Sequence, residues 1–319
     1  MDKRNDNLRK SERVSRMHVP VAIVFFNRLD PLKKLVSRLA EVKPPRVYLI
    51  SDGARKEKTG EFERVEDCRA FMRKLPWQCE IRENFSSENL GCRKRVTSGL
   101  DWVFEQEDQA IILEDDCIPE PEFFPWVETM LERYKDEQRV LSVGGTNLRP
   151  QLCDQSVDCA FTKYAMIWGW ATWRSAWAKN DKNLERIPEA CRAHQFRKWL
   201  GKWRAELYWR YLLTHVASSW GYRWAFTHFA FQGLCVVPPV NLVENIGMTD
   251  SNATHTSENP YELARTFKGW VMPCEDGVIE SNKRLDGWIE DNIFSRSIWN
   301  RCRWVLRKVR NRISRDAES

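Results

Sequence analysis

A chain of 319 residues, 42% hydrophobic and 30% charged, is long enough to bury a large core and too apolar to be disordered. Its net charge of +6 sits mostly in the tails, Lys3 to Arg16 and Arg296 to Arg315, which argues against the continuous basic face that a nucleic-acid partner needs. Ten cysteines at irregular spacing, with no C-x-x-C pair and no Cys/His cluster at zinc spacing, make neither a disulfide scaffold nor a zinc site and predict reduced thiols in a cytoplasmic protein.

Residues 1–17 form a polar tail without the apolar run of a secretory leader, and no stretch approaches the roughly 20 apolar residues of a membrane span. From Val19 the pattern becomes regular. Val19 to Phe26 is a short apolar run rich in β-branched and aromatic residues, as expected of a buried parallel strand. Asp30 is placed to cap a helix with Pro31 at its first position, and Leu32, Leu35, Val36 and Leu39 share one helical face.

The unit then repeats. Arg46 to Ile50 reads as a strand closed by Ser51-Asp52-Gly53, followed by a helix from Glu61 to Leu75. Glu80 to Phe85 and Gln109 to Leu113 read as strands, with a helix over Gly91 to Glu107 between them. Pro121 to Tyr134 resumes helix, and Val140 to Val143 is a strand ending in Gly144-Gly145. Such alternation predicts a doubly wound α/β sheet over 18–150. Over 151–290 Trp and Arg density rises, and a helical, Trp-rich lobe with a few strands is expected, packed on the first half as part of the same domain.

The strand over Gln109–Leu113 runs into Glu114-Asp115-Asp116. Asn27, Asp52, Gly53, Asp115 and Asp116 all fall at carboxyl ends of strands, where open α/β sheets bind ligands. On residue chemistry alone the acid run is either a solvated turn or a seat for a hard divalent cation, magnesium or manganese, bridging to a diphosphate.

The strand ending in Glu114-Asp115-Asp116 resembles the DxD-type motif of nucleotide-sugar glycosyltransferases with the GT-A fold, nearest in form to the N-acetylglucosaminyltransferase I type. Val21 to Arg28 resembles the first strand of that fold, and Tyr48 to Gly53 the second. Glu88 to Arg95 resembles the Asn-x-Gly turn and basic helix start that hold the nucleotide. Ile167-Trp168-Gly169-Trp170-Ala171-Thr172-Trp173 and Asn245 to His255 look like two later blocks of bacterial family-two-like sugar transferases, so the resemblance spans about residues 19–255.

The resemblance implies a GT-A sheet and transfer of a sugar from a nucleoside diphosphate sugar, with inversion, to a saccharide or lipid-linked saccharide acceptor. It implies a place in lipopolysaccharide, capsule or other polysaccharide assembly. Asn27 and Asp52 would contact the nucleoside, with Arg28 and Gly53 beside them. Gly91 and Arg95 would face base or diphosphate. Glu114 and Asp115 would orient ribose and donor, while Asp116 and His255 would ligate Mn2+ or Mg2+. The block before His255 departs from the family pattern in carrying Asn252 and Ala253 where a glycine-richer stretch is expected.

A general base is sought among Asp181, Glu206 and Asp250. Glu206 is preferred because its aromatic neighbours would raise its pKa. Trp168, Trp170 and Trp173, around Gly169, are candidates for stacking on a sugar ring, with core packing the alternative. The tail over 291–319 reads as a basic amphipathic helix, with Ile298, Cys302, Val305, Val309 and Ile313 on its apolar stripe. It predicts peripheral attachment to the anionic inner membrane face, or else a helix docked on the body. Two rival functions remain. A sugar-nucleotide nucleotidylyltransferase would want a glycine-rich loop after the first strand, and a non-catalytic carbohydrate-binding protein would need no chemistry at all.

Overall fold

Five apolar residues, Val21–Phe25, form β1, and parallel partners take both of its edges. Val21 pairs with Val47 of β2 (Arg46–Ser51) on one side and with Ile111 of β4 (Gln109–Glu114) on the other. A strand buried on both faces has no polar side to show, which is why the run is continuous rather than alternating. The computed structural model describes residues 17–200, 209, 219–248 and 266–294.

The remaining strands are β3 (Glu80–Phe85), β5 (Cys117–Pro119), β6 (Val140–Gly144), β7 (Ala160–Thr162), β8 (Trp170–Trp173), β9 (Leu234–Val237) and β10 (Val243–Asn245). Eight of them form one sheet in the order β3-β2-β1-β4-β8-β6-β9-β7. Only β7 and β8 run against the rest. β5 and β10 make a separate antiparallel pair, Asn245 opposite Cys117. The chain moves outward from β1 to β2 and β3, then returns to place β4 on the other side of β1. The crevice at the carboxyl ends of β1 and β4 is therefore the switch point of the sheet, where such folds hold their ligands.

Helices α1 (Leu29–Val42), α2 (Glu61–Met72), α3 (Gly91–Phe104) and α4 (Phe123–Tyr134) connect these strands. Leu32, Leu35, Val36 and Leu39 are buried, as their spacing predicts. The cap differs from expectation. α1 starts at Leu29, so Asp30 lies inside the first turn, where its charge suits the helix dipole. Arg28 takes the cap position with an extended backbone and no side-chain cap bond, which leaves its guanidinium for another partner.

After residue 150, β7, β8 and β9 complete the main sheet. Short helices α5 (Arg174–Trp177), α6 (Ile187–Arg192) and α7 (Gln195–Leu200) come before α8 (Trp220–Ala230), which packs on α3; α9 (Lys283–Ile289) packs on β7. Much of the Trp content is core. Trp170 stacks on Trp220 at 5.7 Å between ring centroids, and Trp224 lies 5.6 Å from Trp170 and 5.3 Å from Trp177. All described cysteines are free thiols. No helix among the described residues is long and apolar enough to cross a membrane.

His228 of α8 is fully buried, between the Ser142 hydroxyl at 2.8 Å and the Trp224 carbonyl at 3.0 Å. Burial lowers its pKa to about 4 from an ordinary 6.5. Between those values the unfolded chain binds the proton and the folded one does not. The stability contributed by neutral His228 is thus intact above about pH 6.5 and lost as pH falls toward 4. The loss across that window is about 3 kcal/mol. Urea midpoints measured from pH 7 to pH 4 should fall more steeply for the native chain than for His228→Gln, and parallel curves would refute this role.

Candidate functional site

β4 carries Ala110, Ile111, Ile112 and Leu113 through the core and ends at Glu114, opposite Val24 of β1. The next residue turns: Asp115 N donates to the Val24 carbonyl at 3.1 Å, pulling the acid cluster toward the end of β1. Three residues past β1, Arg28 meets it. Arg28 Nη2 donates to Asp115 Oδ1, Nε donates to Asp115 Oδ2 at 3.3 Å, and Nη2 also reaches Asp116 Oδ2 at 2.8 Å. One guanidinium thus holds both aspartates across the switch point.

Electrostatics explain why it is needed. Burial pushes Glu114 up to about 8, and the charges of Asp116 and Asp115 add to the push. Burial raises Asp115 to about 6, with Arg28 pulling the other way. Burial also works against the charge on Arg28, yet Asp115 and Asp116 outweigh it and its pKa is raised. The aspartates are not equivalent. Asp115 has both oxygens on Arg28 and a side chain only 5% exposed, whereas Asp116 is 16% exposed and keeps Oδ1 clear of Arg28.

A second rim stands at the end of β2. Asp52 Oδ1 accepts from Gly53 N at 3.0 Å and Leu90 N at 2.9 Å, and Oδ2 accepts from Gly91 N at 2.9 Å. Its carboxylate therefore holds the start of α3 beside β2, and Asn89 Nδ2 donates back to the Gly53 carbonyl at 2.7 Å. A Cβ on Gly53 would lie 2.5 Å from the Glu88 carbonyl carbon, so the two loops can approach this closely only through glycine. Gly91 opens α3 at φ +75°, in the left-handed region.

Several partners in these rims have no sequence signal. Glu61 is 1% exposed, accepts from Asn27 Nδ2 at 3.1 Å and Arg55 N at 2.8 Å, and pairs with the Arg55 guanidinium. Arg69 Nη2 donates to the carbonyls of Asp52 at 2.9 Å and Ser86 at 2.7 Å, tying the ends of β2 and β3 together.

Other expected residues fall elsewhere. Arg95 does not face a ligand crevice: it is 5% exposed and donates to the Asn84 carbonyl and side chain at the end of β3. Trp170 and Trp173 are buried in β8, not in a loop entering a helix, so they serve the core rather than a sugar ring. Trp168 is half-buried, with Thr146 Oγ1 on its carbonyl at 2.8 Å, and it lines a small recess with Asn241, Val243 and Asn245. Gly169 adopts φ +60° against Val243. Asp181 caps a local turn, accepting from Glu185 N and Arg186 N. Glu206, Asp250, His255 and the tail helix lie outside the described residues.

The chemistry of the donor set suits a hard divalent cation at Asp116 only with help. Among the described residues no group of three or more His, Cys, Asp and Glu side chains is arranged to hold a metal ion. Asp116 offers one carboxylate, and cations of the magnesium class commonly take one or two carboxylates and complete their shell with water and phosphate oxygens. The residues fit a site of that shared kind, not a protein cage.

No family model and no curated protein matches the chain. Among solved structures it is similar to the mannosyltransferase PcManGT from Pyrobaculum calidifontis in complex with GDP-Man and Mn2+, at 15% identity and a TM-score of 0.34, over 51% of this chain and 46% of that one. It is similar to the inositol-1-phosphate CTP transferase from T. maritima at 12% identity and a TM-score of 0.29, over 51% of this chain and 74% of that one. It is also similar to glucosyl-3-phosphoglycerate synthase from Mycobacterium tuberculosis in complex with Mg2+ and uridine-diphosphate, at 14% identity and a TM-score of 0.26, over 50% and 57% of the two chains. The aligned part is less than half the length of the mannosyltransferase.

Removing Arg28 leaves Asp115 buried without its counter-charge. Arg28→Ala should cost about 2 to 4 kcal/mol, somewhat below the range for fully buried pairs because Arg28 is partly exposed. Asp116→Asn leaves the double contact to Asp115 in place and should cost about 1 kcal/mol or less. Equal losses in urea unfolding would show that the contact to Asp116, and not the double contact to Asp115, carries the stabilisation.

Proposed function

We propose that the chain is a metal-dependent glycosyltransferase of GT-A architecture, using a nucleoside diphosphate sugar as donor and a saccharide or lipid-linked saccharide as acceptor. One observation carries the reading. Arg28 from the end of β1 and Asp115-Asp116 from the end of β4 meet at the switch point, beside the rim built by Asp52, Gly53 and Gly91. Opposed cationic and anionic groups at that place suit a ligand that brings a diphosphate and its counter-ion together.

In this reading Asp115 is the anchor of Arg28, and Asp116, through Oδ1, is the carboxylate that would hold Mn2+ or Mg2+, with His255 as a further ligand. When bound, such a cation supplies positive charge against the leaving nucleoside diphosphate. Asn27, Asp52, Gly53 and Gly91 shape the nucleoside side, and Glu114 stands at the donor side. Trp168 is the aromatic surface left for a sugar ring. Glu206 and Asp250 are the candidates for the general base that deprotonates the acceptor. The basic tail would keep the enzyme on an anionic membrane surface, where a lipid-linked acceptor and polysaccharide assembly are found.

The nucleotidylyltransferase reading is weaker on one count. Only Phe26, Asn27 and Arg28 separate β1 from α1, and none is glycine, so the connection cannot wrap a triphosphate with backbone N–H groups.

Incubation with a panel of nucleoside diphosphate sugars and Mn2+ should release nucleoside diphosphate, and Asp116→Ala or a chelator should abolish the release. Release of pyrophosphate from sugar phosphate and nucleoside triphosphate would favour the nucleotidylyltransferase, and saccharide binding unaltered in Asp116→Ala, without turnover in either protein, would favour a binding protein. Deleting residues 296–319 should release the chain from phosphatidylserine vesicles in a sedimentation assay while leaving turnover on a soluble acceptor unchanged. Vesicle binding that survives the deletion would exclude the tail as anchor.

A further inference from the structure

Asp116 is enclosed from a side that the acid cluster does not explain. Ile246 N donates to the Asp116 carbonyl at 2.9 Å, and Gly247 N donates to Asn245 Oδ1 at 3.0 Å, so the turn after β10 is tied against the acid cluster. The three nearest atoms that a Cβ built on Gly247 would meet all belong to Asp116: Oδ2 inside contact distance, Cγ at 2.8 Å and Cβ at 3.1 Å. Backbone freedom does not account for this glycine, because Gly247 is not among those with positive φ. Its missing side chain is space occupied by a carboxylate. Asp116 Oδ2 therefore lies between the Gly247 backbone and Arg28 Nη2 at 2.8 Å, and Oδ1, which accepts from the Cys117 thiol at 3.7 Å, is the oxygen not on Arg28.

We infer that Gly247 is a positioning residue for Asp116: it leaves the volume in which the carboxylate must lie for Oδ1 to reach a divalent cation. The inference rests on the proposed metal role of Asp116. It assigns to the block opening at Asn245 a steric function at its first glycine. A side chain at 247 would force the carboxylate to rotate off Arg28 or push the turn off β5, and either motion re-aims Oδ1.

Mn2+ binding to the full chain, followed by electron paramagnetic resonance of the free ion at a temperature where every variant is folded, tests this together with a thermal double-mutant cycle. Gly247→Ala should weaken Mn2+ binding about tenfold or more, the range for losing a group that orients a metal ligand. It should also lower Tm, and the drop should be less than about half as large in the Asp116→Ala background, where the carboxylate it strikes is gone. Mn2+ affinity of Gly247→Ala within about twofold of the native chain, or an equal Tm loss in both backgrounds, overturns the positioning role while leaving the metal role standing. Native and Asp116→Ala chains that bind Mn2+ equally, or not at all with UDP or GDP added, overturn the metal role itself and with it this inference.

Discussion

A single guanidinium shared by two aspartates is the contact on which the crevice depends. Arg28 and the pair Asp115-Asp116 are 87 and 88 residues apart in sequence and meet because β1 and β4 are parallel neighbours whose carboxyl ends coincide. The short link from β1 to α1 keeps Arg28 at that end. Its extended backbone at the helix cap turns the side chain toward β4 rather than along the helix. Without the guanidinium Asp115 would be a buried charge beside a second carboxylate, which is costly at the end of a strand.

The neighbouring rim uses the opposite device. At the end of β2 it is a carboxylate, Asp52, that gathers backbone N–H groups from Gly53, Leu90 and Gly91. Arg69 crosses beneath it to the carbonyls of Asp52 and Ser86. Loop ends that would otherwise be independent are joined, so the crevice is held on the ends of four strands, β1 to β4, and not on one loop. Pre-organisation of this kind is what an anionic ligand with little shape of its own requires.

The strand–helix alternation from β1 to β6 was legible because buried parallel strands read as apolar runs and strand ends read as Asp, Gly or Asn. β8 was not. Trp170-Ala171-Thr172-Trp173 is four residues long and pairs antiparallel with β4 and β6, partners fixed by the assembled sheet and invisible to a local pattern. Arg95 misled for a different reason. In a run of basic residues it resembles a phosphate contact, yet it shares the helical stripe of Val96, Gly99, Leu100 and Val103, and that phase points it into the protein. The helical period was the signal available, and it outranks the charge. The roles of Asp115 and Asp116 were beyond any sequence pattern, since adjacent identical residues differ only in what packs against them. Asp116 has Gly247 beside it and solvent within reach, and Asp115 has neither.

Three adjacent acids can end a buried strand because they do not act as three free charges. Glu114 keeps its proton up to about 8, so near neutral pH it adds no charge to the cluster. Asp115 is matched by the two-point contact with Arg28. What is left is the outer aspartate, sharing one oxygen with the same guanidinium and the other with the Cys117 thiol at 3.7 Å. The negative charge available to an incoming cation is thereby centred on one carboxylate rather than spread over the turn. A site built this way depends on its ligand for the rest of a cation's coordination shell, which suits a cation that arrives with a diphosphate and leaves with it.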